Sequence, residues 1–489
     1  MVAHLSKHKN GLYQQLVCCL SYLVVMFSSQ VYASGGVFNP PHGALPMGWA
    51  GAITAGDATL HGSWYNPALI AGLPSNSGLF ELTLVHATQD FTKSPRLLSN
   101  GEINTYPTVE NTAPPSIVPQ FGFVSGFGLK KWRFSIHGFA PQGVSAQYPL
   151  YGPQRYQLVT NLGSLMWMNS LGVSYRLSSH LWLGASLVNT VASFRQVITT
   201  SGYPGFLGAP ENEDFDALVE TNGYTLFNPT GQFGLRLMWG SLSFGASIWL
   251  PTTINVNPLV LKLKLPKHPI FDGAYIVGNQ ADVSFTLPMI ARGGVRWSER
   301  QWAIEVDTVF EQHSTLSEMT TTPDNISVRN VLGSLTFDIQ GLTIPKRMKD
   351  TWSIRVGGEW RTQKYLLLSE SMTAQTSPSK DVVSLDSWVP YAYRAGVLFE
   401  QSAVPNETLN LAQIDAEKWG VCLGASWRLG DKRIDFGYSL LLLKDRLVKQ
   451  SFLKQINTIN AEGATMVAVG AYRSTLNMLS LAVGFNAFP

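Results

Sequence analysis

Four arginines, Arg236, Arg292, Arg355 and Arg394, stand in stretches where apolar and polar residues alternate, and each falls on the polar parity. A guanidinium held beside apolar surface grips a carboxylate through two parallel hydrogen bonds, which gives orientation as well as energy. These four are therefore the candidate carboxylate-binding residues. Glu305, Asp307 and Glu359 share the same parity, and buried charges need such partners. Little other chemistry has its residues in place. The chain contains no Gly-x-Ser-x-Gly elbow, no His-Glu-x-x-His pair, no Walker loop and no clustered Cys/His set, which are the marks of hydrolases, metalloproteases, nucleotide sites and structural zinc. No catalytic residue, metal or cofactor is expected. His137 and His180, each near serines, are the residues that a lipid hydrolase could use.

The elements that must position these side chains begin after a leader. Lys7 and Lys9 form a charged start, Leu16 to Phe27 a short apolar core, and Val31-Tyr32-Ala33 a small-residue cleavage site, so residues 1–33 read as a signal peptide cut near Ala33. Its core is too short to span a bilayer, and no later run of about 18 apolar residues exists. Cys18 and Cys19 leave with the leader, so Cys422 alone remains and no disulfide framework is possible. The leader removes two of 35 basic residues and none of 32 acidic ones. The near-neutral remainder does not suggest nucleic acid. Charged residues are only 14% of the chain against roughly 25% in soluble domains, so part of the surface needs a solvent other than water.

Beyond residue 76 the alternation has period two over lengths of about ten residues, the pattern of strands facing lipid on one side and a lumen on the other. Trp132, Phe134 and Ile136 alternate with Arg133, Ser135 and His137. Trp302, Ile304 and Val306 alternate with Ala303, Glu305 and Asp307, and similar stripes begin at Trp352 and Trp419. Tryptophans at the ends of the stripes suit membrane interfaces better than a soluble sandwich. The predicted strands are 77–91, 117–128, 131–143, 161–177, 180–197, 227–240, 242–255, 283–297, 301–313, 350–362, 389–401, 417–429, 432–445 and 474–488, fourteen in all. The fold class is thus all-β, a transmembrane antiparallel β-barrel of about 14 strands. Tight turns at 178–180, 240–241, 298–300 and 430–431 alternate with long links, but 363–388 is too long for the turn its parity requires. That segment is either an insertion or the sign of a miscounted strand.

Ahead of the strands lies Gly48-Trp-Ala-Gly51, then Asn66-Pro67-Ala68. Proline fixes its own φ and holds the preceding residue extended, while glycines permit close backbone approach. Taken with Phe139-Ala-Pro-Gln-Gly143, Tyr393-Arg-Ala-Gly-Val397, Ser402-Ala-Val-Pro405 and Arg433-Ile-Asp-Phe-Gly-Tyr438, these motifs resemble the FadL/TodX family of outer-membrane transporters for long-chain fatty acids and other hydrophobic compounds. The resemblance covers most of the mature chain. It implies an N-terminal hatch in the lumen over 34–76, with Gly48, Gly51, Asn66, Pro67 and Ala68 on the substrate path, and a barrel over 77–489. It also implies sideways release at a kink in the third strand. Pro141 and Gly143, around Gln142, are the residues that would break pairing there.

The expected function is passive uptake of a hydrophobic small molecule across the bacterial outer membrane. A general polar porin and a barrel-embedded lipid hydrolase are the alternatives. The partners implied are outer-membrane lipid, lipopolysaccharide and, during biogenesis, the barrel assembly machinery; the closed barrel is expected to be a monomer. Pro489 follows Phe488 at the terminus, a departure from the aromatic ending that such machinery reads.

Overall fold

The structure, a computed structural model, describes residues 41–97, 101–141, 145–205, 208–362, 389–457, 459–460 and 462–485. The leader, the 363–388 link, Gln142, Gly143 and the terminal Phe488-Pro489 lie outside them. Fourteen antiparallel strands close on themselves: β1 Ser77–Lys93, β2 Ser116–Ser125, β3 Trp132–Phe139, β4 Leu165–Arg176, β5 Leu181–Ser201, β6 Pro229–Trp239 and β7 Leu242–Trp249, then β8 Ile290–Ser298, β9 Trp302–Glu311, β10 Thr351–Arg361, β11 Val389–Glu400, β12 Lys418–Leu429, β13 Lys432–Leu443 and β14 Gly470–Phe485. Each strand pairs with its sequence neighbours, and β1 pairs with β14 from Gly78↔Phe485 to Lys93↔Gly470. Closure lets neighbouring strands satisfy the backbone polar groups of the wall, apart from the half of β2 that β3 does not reach.

The alternation read from the sequence is the alternation of the wall. Ile136, Ile304, Ile354 and Leu423 are exposed on the outside, while His137, Glu305, Arg355 and Cys422 are buried within. Aromatic side chains mark both rims. Trp132, Trp239, Trp302 and Trp360 stand at the short-turn end, with Trp302 and Trp360 centroids 6.4 Å apart. Trp352 and Trp419 stand at the long-loop end, each against a phenylalanine at 4.8 Å. An apolar band of this extent, bounded by amphipathic rings, suits a bilayer. Among the described residues no helix is long and apolar enough to cross a membrane.

Two predicted strands needed dividing. Stretches 242–255 and 283–297 each run through a proline, Pro251 and Pro288, and the wall strands stop or start beside them at Trp249 and Ile290. A proline donates no ladder hydrogen bond, which ends the pairing there. The remainders belong to a ribbon beyond the wall, where Thr252–Lys264 pairs with Gln280–Leu287 and with Asp216–Thr225, itself paired to the extended top of β5. The strand total is unaffected. The ends of the 363–388 link, at β10 and β11, fall at the short-turn end, as the parity required.

Candidate functional site

Residues 41–76 lie inside the ring and follow its inner surface. The helix α1, Ala44–Gly48, is five residues long, too short to be stable alone, and it rests on β12 and β13. The path is cut into the wall by glycines that face one another across strand pairs: Gly184 and Gly234, Gly245 and Gly294, Gly357 and Gly396, Gly424 and Gly437. A Cβ on Gly437 would strike Ala44, on Gly424 Gly48, on Gly357 Trp49, on Gly245 Thr54, on Gly234 Asn66 and on Gly184 Pro67. The segment thus travels around the lumen on a belt of glycines, its backbone against theirs.

Polar side chains of the wall bind that backbone. Asp307 accepts from the Thr54 amide at 2.8 Å and Glu305 from the Ala55 amide at 2.6 Å. Ser174 donates to the Pro67 carbonyl at 2.7 Å and Arg176 to Ala71 at 2.6 Å. Asn66 is extended (φ −157°, ψ 107°), as its proline neighbour dictates, and caps the 3-10 turn Pro67–Gly72 by accepting from the Ala68 amide. Its Nδ2 donates to Thr54 at 2.7 Å and to the Leu235 carbonyl of β6 at 2.9 Å. The triplet thus opens a short 3-10 helix that is pinned to the wall.

Asp57, half exposed, lies 2.8 Å from Arg296, 3.0 Å from Arg361 and 3.6 Å from Arg236, which come from β8, β10 and β6. Burial pushes its carboxyl up, but Arg296, Arg236, Arg361 and Arg394 outweigh this and bring it down to about 2. Near the other end of the segment, His61 Nε2 and the Ala44 amide meet Glu81 of β1 at 2.8 and 3.0 Å. Asp57, Glu81, Arg296 and Arg361 were not singled out by sequence reasoning. Parity alone could have found Arg296, four residues from Arg292 on one strand.

Of the four candidate arginines, three have carboxylates. Arg394 holds Glu359 at 2.7 Å, Arg355 is 3.6 Å from Glu400, and Arg236 reaches Asp57. Arg292 differs. It is 5% exposed and its Nε and Nη1 have no hydrogen-bond partner. Its guanidinium lies 4.9 Å from the Trp64 ring and 5.7 Å from that of Tyr65, an attraction that offsets only part of the cost of burying charge. Trp64 packs 5.0 Å from Trp249 and 5.7 Å from Phe139, and Phe139 is 5.9 Å from His42. A guanidinium with two unbonded nitrogens therefore borders an aromatic cluster inside the lumen.

Phe139 is also where β3 leaves the sheet. β2 pairs with β1 from Ser116 to Val124, but with β3 only from Phe121 to Ser125. The half of β2 around Pro119 therefore lacks a partner strand on that side, and Ala140-Pro141 turn away at the same height. Phe121 and Trp167 pack 5.7 Å apart beside Gly138, bordering the gap. The structure spreads the sequence-predicted residues around the inner wall, Gly48 against β11 and β12, Gly51 beside Arg355 of β10, Asn66 against β6 and Pro67 and Ala68 against β5, and it brings Pro141 to the gap. His137 is buried with neither nitrogen bonded, and His180 contacts Ser179 in an exposed turn.

No family model and no curated protein matches the chain. Solved structures do. A FadL homologue of Pseudomonas aeruginosa superposes with a TM-score of 0.69 at 15% identity, covering 93% of this chain and all of that one. The toluene transporter TodX of P. putida gives 0.60 at 15% identity over 91% of this chain and 98% of its own, and the Ralstonia pickettii toluene transporter TbuX gives 0.55 at 14% over 91% and 99%. At such identities the likeness is one of fold. This chain is thus a fourteen-stranded barrel that shares its fold with the FadL homologue and with TodX.

Proposed function

We propose that the protein is a passive channel of the bacterial outer membrane that takes up long-chain fatty acids or other hydrophobic compounds. Residues 1–33 are removed on export, 34–76 act as the hatch and 77–489 form the barrel, short turns toward the periplasm. The observation that carries this reading is the unpaired Arg292 beside Trp64, Phe139 and Trp249. An apolar cluster next to a buried, unsatisfied cation suits a ligand with a hydrocarbon body and a carboxylate end. The likeness to structures described as toluene transporters and a FadL homologue supports the apolar part of that ligand. Residues 41–76 take up room in the lumen, which disfavours the polar porin, and the incomplete β2–β3 pairing beside Pro141 supports sideways release into the membrane.

Uptake of labelled oleate by cells carrying or lacking the gene tests the reading. Oleate uptake should depend on the gene, and Arg292→Gln should lower it roughly ten- to a hundredfold, a charge-assisted hydrogen bond contributing about 1.5–3 kcal/mol, while leaving toluene uptake unchanged. Gene-dependent uptake of sugars instead of oleate or toluene would replace the channel proposed here with a porin.

A further inference from the structure

A second group of unsatisfied side chains lies across the aromatic cluster from Arg292. His137 projects inward from β3, is 1% exposed, and has a partner on neither ring nitrogen. Ser170 is its cross-strand neighbour on β4, and its Oγ is equally unpaired. Ser135, two residues before His137 on the same face, stands opposite Gly172 and lays its Oγ over that glycine, where it too has no partner. On β2, Gln120 lies beside His42 without reaching hydrogen-bond geometry, so its Oε1 has no partner. A buried polar atom left unpaired costs about 1–3 kcal/mol. Such a concentration of them calls for an occupant.

Their chemistry restricts what it can be. A neutral imidazole offers one donor and one acceptor, a serine hydroxyl both, and the glutamine oxygen accepts only. The complementary group both donates and accepts, which describes a hydroxyl. A carboxylate can only accept, and nothing here draws an anion. Burial brings His42 down to about 4, leaving it uncharged at neutral pH, and Glu81, whose charge reaches His42, is engaged by His61 and Ser480 at 2.8 Å each. The apolar remainder of the ligand has a place as well. Phe139 lies 5.0 Å from His137 and 5.7 Å from Trp64, so a ring or chain among these aromatics can direct a hydroxyl to His137.

We propose that His137, Gln120, Ser135 and Ser170 form a berth for the hydroxyl group of alcohols and phenols, at the point where β3 leaves the sheet. The proposal rests on the reading of the barrel as a channel for hydrophobic compounds and adds a substrate class to it. Arg292 would serve acids from one side of the aromatic cluster, and the berth would serve hydroxylated compounds from the other.

The test uses a matched pair of probes, 4-octylphenol and octylbenzene, which differ by one hydroxyl. Their binding to the purified full-length barrel in detergent is measured by equilibrium dialysis, for wild type, His137→Leu and Gln120→Met, each confirmed as folded by its heat-modifiable mobility. Wild type should bind octylphenol roughly tenfold tighter than octylbenzene, the factor expected for satisfying a buried polar group. His137→Leu should abolish the preference while octylbenzene binding stays as it was, and Gln120→Met should reduce it. Equal binding of the two probes to wild type, or a preference that survives both substitutions, would overturn the berth and leave its side chains to water, with the channel reading intact. Binding of neither probe would overturn both.

Discussion

Asp57 is one carboxylate shared by arginines from three strands, and it ties residues 41–76 to the wall. Removing its charge leaves Arg236 and Arg361 facing a neutral amide at the short-turn end, so the proposed hatch should release more readily. Asp57→Asn should raise the frequency of open-channel events in planar bilayers at pH 7; an unchanged record would mean that the other wall contacts hold the hatch alone. The pH dependence follows from the lowered carboxyl. A group whose value falls on folding stabilises the folded arrangement above its ordinary value and loses that contribution as pH drops through the lowered one. Wild type should therefore stay closed from neutral pH down to the ordinary value of 3.8 and open increasingly between there and about 2, whereas Asp57→Asn should show no transition in that window. Arg236 was legible in the sequence because period two assigns each side chain a face, and the same parity marks Arg296. Their partners were less so. Asp57 meets Arg296 across 239 residues of chain, and no local pattern in a glycine-rich segment tells which wall residue its carboxylate reaches.

The glycine belt operates at the level of elements. Each glycine weakens its own strand slightly, but together they form a groove in which backbone meets backbone. Gly245 and Gly293 separate the two functions of glycine in this wall. A Cβ on Gly245 would run into the Thr54 carbonyl and the Ala55 Cα, whereas one on Gly293, facing outward, would meet only the Thr308 hydroxyl at an ordinary 3.7 Å. Overpacking of this kind costs about 1–3 kcal/mol, and here it falls on hatch seating rather than on the ladder. Gly245→Ala should therefore increase ion conductance without changing heat-modifiable mobility, and Gly293→Ala should change neither; conductance equal in the two variants would remove the belt's role. Alternation and tight turns made the strands readable before any coordinates. The belt was not, because glycines in strands also mark bulges and bends, and only register shows that Gly184 faces Gly234 and Gly424 faces Gly437. The divisions at Pro251 and Pro288 were readable in principle, since a proline inside a central strand argues against the assignment.

For the whole molecule, the question is whether the barrel needs its hatch in order to fold. The ring closes through wall hydrogen bonds alone, including the long β1–β14 register from Gly78↔Phe485 to Lys93↔Gly470, and none of the wall pairings uses residues 41–76. The hatch does hold part of the lumen charge: Glu305 and Asp307 accept its amides, and Asp57 neutralises arginines. Without it these groups are not left dry. Water enters an emptied lumen, and Arg296 keeps Glu305 at 3.1 Å while Arg394 keeps Glu359 at 2.7 Å, so the desolvation penalty that makes an unpaired buried charge destabilising largely disappears. A chain with residues 41–76 deleted and residues 1–40 retained should thus still insert and show heat-modifiable mobility, while conducting ions continuously and admitting polar solutes. Recovery of only unfolded or degraded protein would show instead that the hatch templates the barrel, with the glycine belt as the surface on which the wall assembles.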